Sequence, residues 1–164
     1  MLLKINKFLS SEAVSLTINE NFSIDDEEFL KETGLDKDIL LTGEILKIDD
    51  GTVFTGKIEY TFTDECARCL KEFDRRIETG FQAEIVKKED MESDEIQLVA
   101  ADGTIKMDET IKQLIYLSLP MKSLCSKDCK GICPSCGVNL NIEKCRCENS
   151  ITDPRLEKLK DLLK

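Results

Sequence analysis

The chain has 164 residues with 23 basic and 33 acidic side chains, a net charge of −10, and is 41% hydrophobic but only 5% aromatic. That length fits one compact domain with at most a small appendage, and the apolar content excludes a fully disordered chain. There is no histidine and there are eight cysteines, which excludes Ser-His-Asp and Cys-His catalytic pairs and leaves Cys or carboxylate to ligate any zinc.

The first 107 residues read mainly as β-structure. Leu3-Lys4-Ile5 and Val14-Ser15-Leu16-Thr17-Ile18 alternate apolar and polar side chains, as half-buried strands do. Ile24 to Gly34 predicts a short helix with an acidic first turn and a glycine stop. Leu40–Ile48 and Val53–Thr63 flank Asp49-Asp50-Gly51 and predict a hairpin, since Asp-Gly tolerates positive φ. In the returning strand Ile58, Tyr60 and Phe62 share one face. Phe73–Val86 predicts a further strand with Phe81, Ala83 and Ile85 together. Ile96-Gln97-Leu98 and Ile105-Lys106-Met107 flank Asp102-Gly103 as a second hairpin. Asp108 is the expected cap of a helix from Glu109 to about Leu119, stopped by Pro120. Its stripe of Ile111, Leu114, Ile115 and Leu119 faces the core. Asp153-Pro154 opens a terminal helix with Leu156, Leu159, Leu162 and Leu163 on one face.

The fold class predicted is α+β: an antiparallel sheet or partial β-barrel with a few helices and a C-terminal Cys-rich, zinc-binding region. Residues 1–120 form the α+β domain with mainly antiparallel strands. Residues 121–164 form the zinc-binding tail and C-terminal helix, packed on the first as one unit. The start of the chain lacks the apolar run and cleavage site of a signal peptide, and no stretch approaches the ~18–20 apolar residues of a membrane span. The expected setting is cytoplasmic and reducing, where cysteines ligate metals or do redox work rather than pair as disulfides.

Charge is distributed unevenly. Residues 1–120 hold 14 basic and 27 acidic side chains, and residues 121–164 hold 9 and 6. The acidic runs Asp25–Glu28 and Glu89–Glu95 read first as solvated surface, and alternatively as a patch for a basic partner such as a ribosomal protein.

All eight cysteines fall in three local patterns. Cys133-Pro134-Ser135-Cys136-Gly137 has the form of a metal knuckle: proline pre-sets φ in the turn, and glycine takes the strained position after the second sulfur. Cys145 and Cys147 return to complete a tetrahedron, so Cys133, Cys136, Cys145 and Cys147 are assigned to a first site. Cys66, Cys69, Cys125 and Cys129 remain for a second, pinning a strand end to the segment after the helix. The rival pairing moves Cys125 or Cys129 to the Cys133 knuckle. Two Zn2+ ions are expected, with iron as the alternative because such knuckles also hold a single iron. A thioredoxin-like dithiol at Cys66 and Cys69 fits poorly, since these lie between β-patterned runs and not at a helix N-terminus. Arg68, Lys71, Arg75, Arg76, Lys130, Lys144 and Arg146 surround the thiolates. They either compensate the charge of the sites or form a rim for RNA phosphates.

Taken together, Glu65-Cys66-Ala67-Arg68-Cys69-Leu70, Leu119-Pro120, Cys129-Lys130-Gly131-Ile132-Cys133-Pro134-Ser135-Cys136-Gly137-Val138-Asn139-Leu140-Asn141, Cys145-Arg146-Cys147 and Asp153-Pro154-Arg155 resemble the YceD family. That family comprises bacterial and plastid proteins linked to accumulation of large-subunit (23S) ribosomal RNA. The resemblance covers residues 65–155 by motif. It implies a non-enzymatic ribosome-biogenesis factor that binds large-subunit rRNA or a basic ribosomal protein, with no membrane and no small-molecule substrate. The charge of −10 argues against indiscriminate RNA binding. The alternatives are a zinc-ribbon docking adaptor in transcription and an iron redox carrier.

Overall fold

The computed structural model describes residues 2–87 and 96–147; the acidic run at 89–95 and the helix expected from Asp153 lie outside them. The elements are β1 (Leu2–Lys4), α1 (Asn6–Leu9), β2 (Ser15–Ser23), α2 (Glu27–Thr33), β3 (Leu35–Ile48), β4 (Gly51–Glu65), β5 (Glu72–Val86), β6 (Ile96–Ala101), β7 (Thr104–Lys106) and α3 (Asp108–Ser118). The strands form one seven-stranded sheet in the order β1-β7-β6-β5-β4-β3-β2, curled as a half-barrel, and the class is α+β. The chain divides into two compact units: Met1–Asp64 with Asp74–Met121, and Glu65–Phe73 with Lys122–Lys164.

In the first unit the alternation seen in the sequence becomes a buried face. Ile39, Leu41 and Ile45 of β3 and Phe54, Ile58, Tyr60 and Phe62 of β4 are at most 2% exposed. The β3–β4 hairpin pairs Ile48 with Gly51 and carries Gly43 opposite Gly56. A Cβ on Gly56 would stand 2.8 Å from the Phe81 ring, and one on Gly43 would stand 2.6 Å from the Gly56 Cα. The two glycines leave the room in which Phe54 and Phe81 meet edge to face at 5.2 Å, a favoured aromatic geometry.

Both Asp-Gly signals mark hairpins, by different means. Asp102 and Gly103 have φ of 51° and 69° between the paired residues Ala101 and Thr104, the double positive φ of a type I′ turn. At the first hairpin neither Asp49, Asp50 nor Gly51 is among the described positive-φ residues. The tolerance that suggested this turn is therefore not used.

The helices also show where local rules yield. Asp26 caps α2, accepting from Phe29 N–H at 3.1 Å, and Gly34 ends it in the left-handed region at φ 66°. Met107, not Asp108, holds the cap position of α3 and makes no side-chain cap bond. Asp108 is the first helical residue, where a negative charge still favours the helix N-terminus. Leu119 leaves the helix extended at ψ 131°, as the residue before Pro120 must. The Ile111, Leu114 and Ile115 stripe is buried. The Ser118 hydroxyl donates to Leu114 O at 2.7 Å and so accepts from the Tyr60 hydroxyl, also at 2.7 Å, which fastens α3 to β4. The short α1 has no periodic pattern to announce it. Lys47 stabilises it, donating to Phe8 O at 2.9 Å and Ser11 O at 2.6 Å at the helix C-terminus, where a cation is favoured.

Pairing is antiparallel in β1/β7, β2/β3, β3/β4 and β6/β7 but parallel in β5/β6, from Ala83↔Ile96 to Val86↔Val99. The sheet is therefore mixed. No described helix is long and apolar enough to cross a membrane.

Candidate metal centres

The second unit contains all eight cysteines. Their sulfurs gather in two groups: Cys66, Cys69, Cys125 and Cys129, and Cys133, Cys136, Cys145 and Cys147, with every sulfur in a group within 4.8 Å of the others. In the first group Cys66 and Cys129 stand 3.8 Å apart and Cys69 and Cys125 3.6 Å. In the second, Cys133–Cys145 is 3.3 Å and Cys136–Cys145 3.8 Å. Four thiolates at about 2.3 Å from one ion lie about 3.8 Å from each other, so the spacing suits a shared tetrahedral ion. All eight are free thiols.

Two knuckles with one hydrogen-bond scheme build these groups. Cys66 N–H donates to Lys71 O at 2.9 Å, and Leu70 N–H to Cys66 O at 2.9 Å. In the same offsets, Cys133 N–H donates to Val138 O and Gly137 N–H to Cys133 O, both at 2.8 Å. The residue after each knuckle's second cysteine is left-handed: Gly137 at φ 73° and Leu70 at φ 57°. Glycine adopts that conformation freely, whereas leucine is strained in it. The glycine was legible in the sequence; the strained leucine was not.

Backbone N–H groups aim at the sulfurs. Cys66 receives those of Cys125, Arg68 and Cys69, which hold its thiol down at about 6 despite burial. Cys133 is held at about 6 by the N–H groups of Cys136 and Ser135. Their neighbours move the other way. Burial and the adjoining sulfurs push Cys125 up to about 12, and the nearby thiols of Cys145 and Cys136 push Cys147 up to about 12. Four thiolates so close repel one another, and full ionisation needs a cation among them. An all-sulfur set of this shape suits zinc or iron. Four protein ligands leave no open position for a substrate, the hallmark of a structural site.

The groups differ in exposure. Cys66, Cys69 and Cys129 are buried beside Phe73, Leu124 and Ile132. Cys136 and Cys147 are exposed. Around the buried group, Arg68 donates to Cys129 O at 2.8 Å, and Ala67 N–H to Ser123 O at 2.9 Å. Gly131, at φ 76°, passes so close to Arg68 that a Cβ would lie 2.9 Å from its carbonyl oxygen. Burial would raise the Cys129 thiol, but the Asn141 amide and Gly131 N–H outweigh it and lower it. Neither the residue type nor the position of Asn141 in the sequence signals this contact.

The cationic residues of the predicted rim are divided between the two units. Arg75 and Arg76 belong to the first unit, where Arg76 pairs with Glu59. Arg68, Lys71, Lys130, Lys144 and Arg146 are exposed residues of the second unit, and Arg68 is committed to Cys129 O.

These features define a class: an α+β sheet unit carrying a module of paired cysteine knuckles. The profile described as "Large ribosomal RNA subunit accumulation protein YceD" matches residues 54–163, and the chain belongs to the YceD family. An uncharacterized protein of Mycobacterium tuberculosis is 33% identical over 121 residues, which cover 71% of this chain and 58% of that protein. The match to this and the similar Mycobacterium bovis protein thus spans little more than half their length. The Zea mays protein named "Large ribosomal RNA subunit accumulation protein YCED homolog 1, chloroplastic" is 36% identical over 56 residues, covering 34% of this chain and 19% of its own. No solved structure matches the chain.

Proposed function

We propose that this protein is a non-enzymatic, cytoplasmic factor that supports accumulation of large-subunit ribosomal RNA. In this reading the cysteines hold two structural zinc ions, one on Cys66, Cys69, Cys125 and Cys129 and one on Cys133, Cys136, Cys145 and Cys147. The observation that carries it is the YceD match over residues 54–163, which spans both four-sulfur groups. The chemistry is consistent. Without histidine there is no imidazole base, and closed four-thiolate sites fold chains rather than activate water.

Charge favours a basic protein of the large subunit as the immediate partner. The net charge is −10, and each four-thiolate zinc centre carries about −2, offsetting the cations around it. Two of the seven rim cations are already engaged, Arg68 and Arg76. A cavity of about 380 Å³ in the first unit is lined by Asp25, Asp26 and Asp108 together with Lys112, which is paired with Asp26 at 2.8 Å. The acidic excess there adds to a net charge that steers a basic partner and repels phosphate. Lys71, Arg75, Lys130, Lys144 and Arg146 keep direct rRNA contact as the second reading.

Crosslinking in growing cells, followed by gradient fractionation, tests this. The protein should travel with large-subunit precursors, with crosslinks chiefly to a basic ribosomal protein; crosslinks chiefly to rRNA would select the second reading. Absence from those fractions and co-purification with RNA polymerase would replace the proposal with a transcription adaptor. A coloured protein bleached by dithionite would replace zinc with iron.

A further inference from the structure

Only Lys130, Gly131 and Ile132 separate Cys129 of one sulfur group from Cys133 of the other. The chain then runs through the second knuckle and returns, with Ile132 bridged to Asn139 and Leu140 N–H donating to Gly131 O at 2.9 Å. This return delivers Asn141 to the other group. Its Nδ2 donates to Cys129 Sγ at 3.4 Å and to Asn139 Oδ1 at 2.9 Å, while its Oδ1 accepts from Lys130 N–H at 2.8 Å. Asn141 N–H also donates to Asn139 Oδ1 at 2.9 Å. The orientation of the amide is fixed by these partners: a backbone N–H can only donate, so the oxygen faces Lys130 and the amino group faces sulfur.

The loop that carries Cys133 and Cys136 therefore also presents a hydrogen-bond donor to a thiolate of the neighbouring group. We propose that Asn141 couples the two metal centres, so that filling either one raises the metal affinity of the other. The proposal rests on the reading of both groups as metal sites. An ion on Cys133, Cys136, Cys145 and Cys147 clamps the loop and holds the Asn141 amide on Cys129. The donor disperses thiolate charge and fixes the sulfur for its own ion. Linkage makes the effect equal in both directions. Hydrogen-bond partners of metal ligands contribute about 10–100-fold in affinity, which sets the size expected.

The test is a cobalt(II) titration of the metal-free full chain against a competing chelator, read by thiolate-to-cobalt charge-transfer absorption. Wild type should bind two ions cooperatively. Cys136→Ser/Cys147→Ser should bind one, at Cys66, Cys69, Cys125 and Cys129, more weakly than wild type fills that group, both because the first ion helps fold the unit and by a further factor of about 10–100 from the Asn141 donor. In Asn141→Leu the same weakening should be smaller by that further factor of about 10–100. Asn141→Asp keeps the acceptor for Lys130 N–H but loses the donor and sets a carboxylate beside sulfur, so it should bind no better than Asn141→Leu. Restoration of coupling by Asn141→Asp would show that Asn141 only closes the loop, and would overturn the proposal. So would two ions binding independently in wild type, which leaves the metal reading intact. Fewer than two ions with four-thiolate spectra would instead bring down the metal reading itself, and this proposal with it.

Discussion

Removing metal from the full chain should unfold the second unit and leave the first standing. The structure sets the size of the effect. Apart from cysteines, the buried cluster that the described residues of the second unit form holds Phe73, Leu124 and Ile132, each partly buried. At about 2 kcal/mol for a fully buried side chain of this kind, the three together contribute at most about 6 kcal/mol. A single structural zinc site in a small module contributes on the order of 10–16 kcal/mol, so the ions dominate, as expected for so small a core. The assay separates the units, because the two tyrosines of the chain, Tyr60 and Tyr116, both lie in the first unit and there is no tryptophan. With metal bound, a thiol reagent should reach Cys136 and Cys147 before Cys66 and Cys129. After a strong chelator, all eight thiols should react at similar rates while tyrosine fluorescence and its thermal transition hold. If Cys66, Cys69 and Cys129 stayed protected in metal-free protein, packing rather than metal would hold the unit. A tyrosine signal that collapsed with the metal would refute the independence of the sheet.

Other outcomes follow from the backbone and from charge. Gly34→Ala puts a Cβ 2.3 Å from Thr63 O at φ 66° and should cost about 2–4 kcal/mol, a fall in Tm of roughly 8–16 °C. Gly80→Ala is the control, since its Cβ meets nothing nearer than 3.8 Å, and it should leave Tm unchanged. Leu70→Gly relieves a left-handed leucine that is 56% exposed; it should stabilise the second unit by up to about 1 kcal/mol, seen as a higher chelator concentration at half-release of metal. The Lys112 ammonium and the Phe29 N–H hold the Asp26 carboxyl below its ordinary 3.8. A depressed carboxylate stabilises the fold above its unfolded pKa, and that stability is lost as pH falls through the lower folded value. Asp26→Asn should therefore flatten the acid limb of Tm against pH below about pH 4 and leave the limb above pH 6 parallel to wild type.

The period-2 alternation exposed the core strands, because Ile58, Tyr60 and Phe62 can share a buried face in one register only. It carries no strand direction, however, and for that reason the parallel β5/β6 pair was invisible. The Gly43–Gly56 contact was hidden for a related cause: each glycine is explained by a residue on another strand, Phe54 or Phe81, and not by its own neighbours. Local chemistry misled at Asp108, a good cap by composition that lies one residue inside the helix. At the cysteines, spacing favoured the Cys133–Cys147 group because its loop closes locally. The Cys66–Cys129 group joins Cys69 and Cys125, 56 positions apart, and spacing alone left Cys125 and Cys129 open to another pairing. Asn141 acts across a turn on a sulfur 12 positions away, a relation that residue type does not advertise.

The most direct test is the ratio of large- to small-subunit rRNA in cells depleted of this protein and supplied with wild type, Cys66→Ser/Cys69→Ser or Cys133→Ser/Cys136→Ser, each at verified expression. The account predicts a selective loss of large-subunit rRNA that wild type restores and neither cysteine variant does. An unchanged ratio after depletion, or full rescue by both variants, would contradict it.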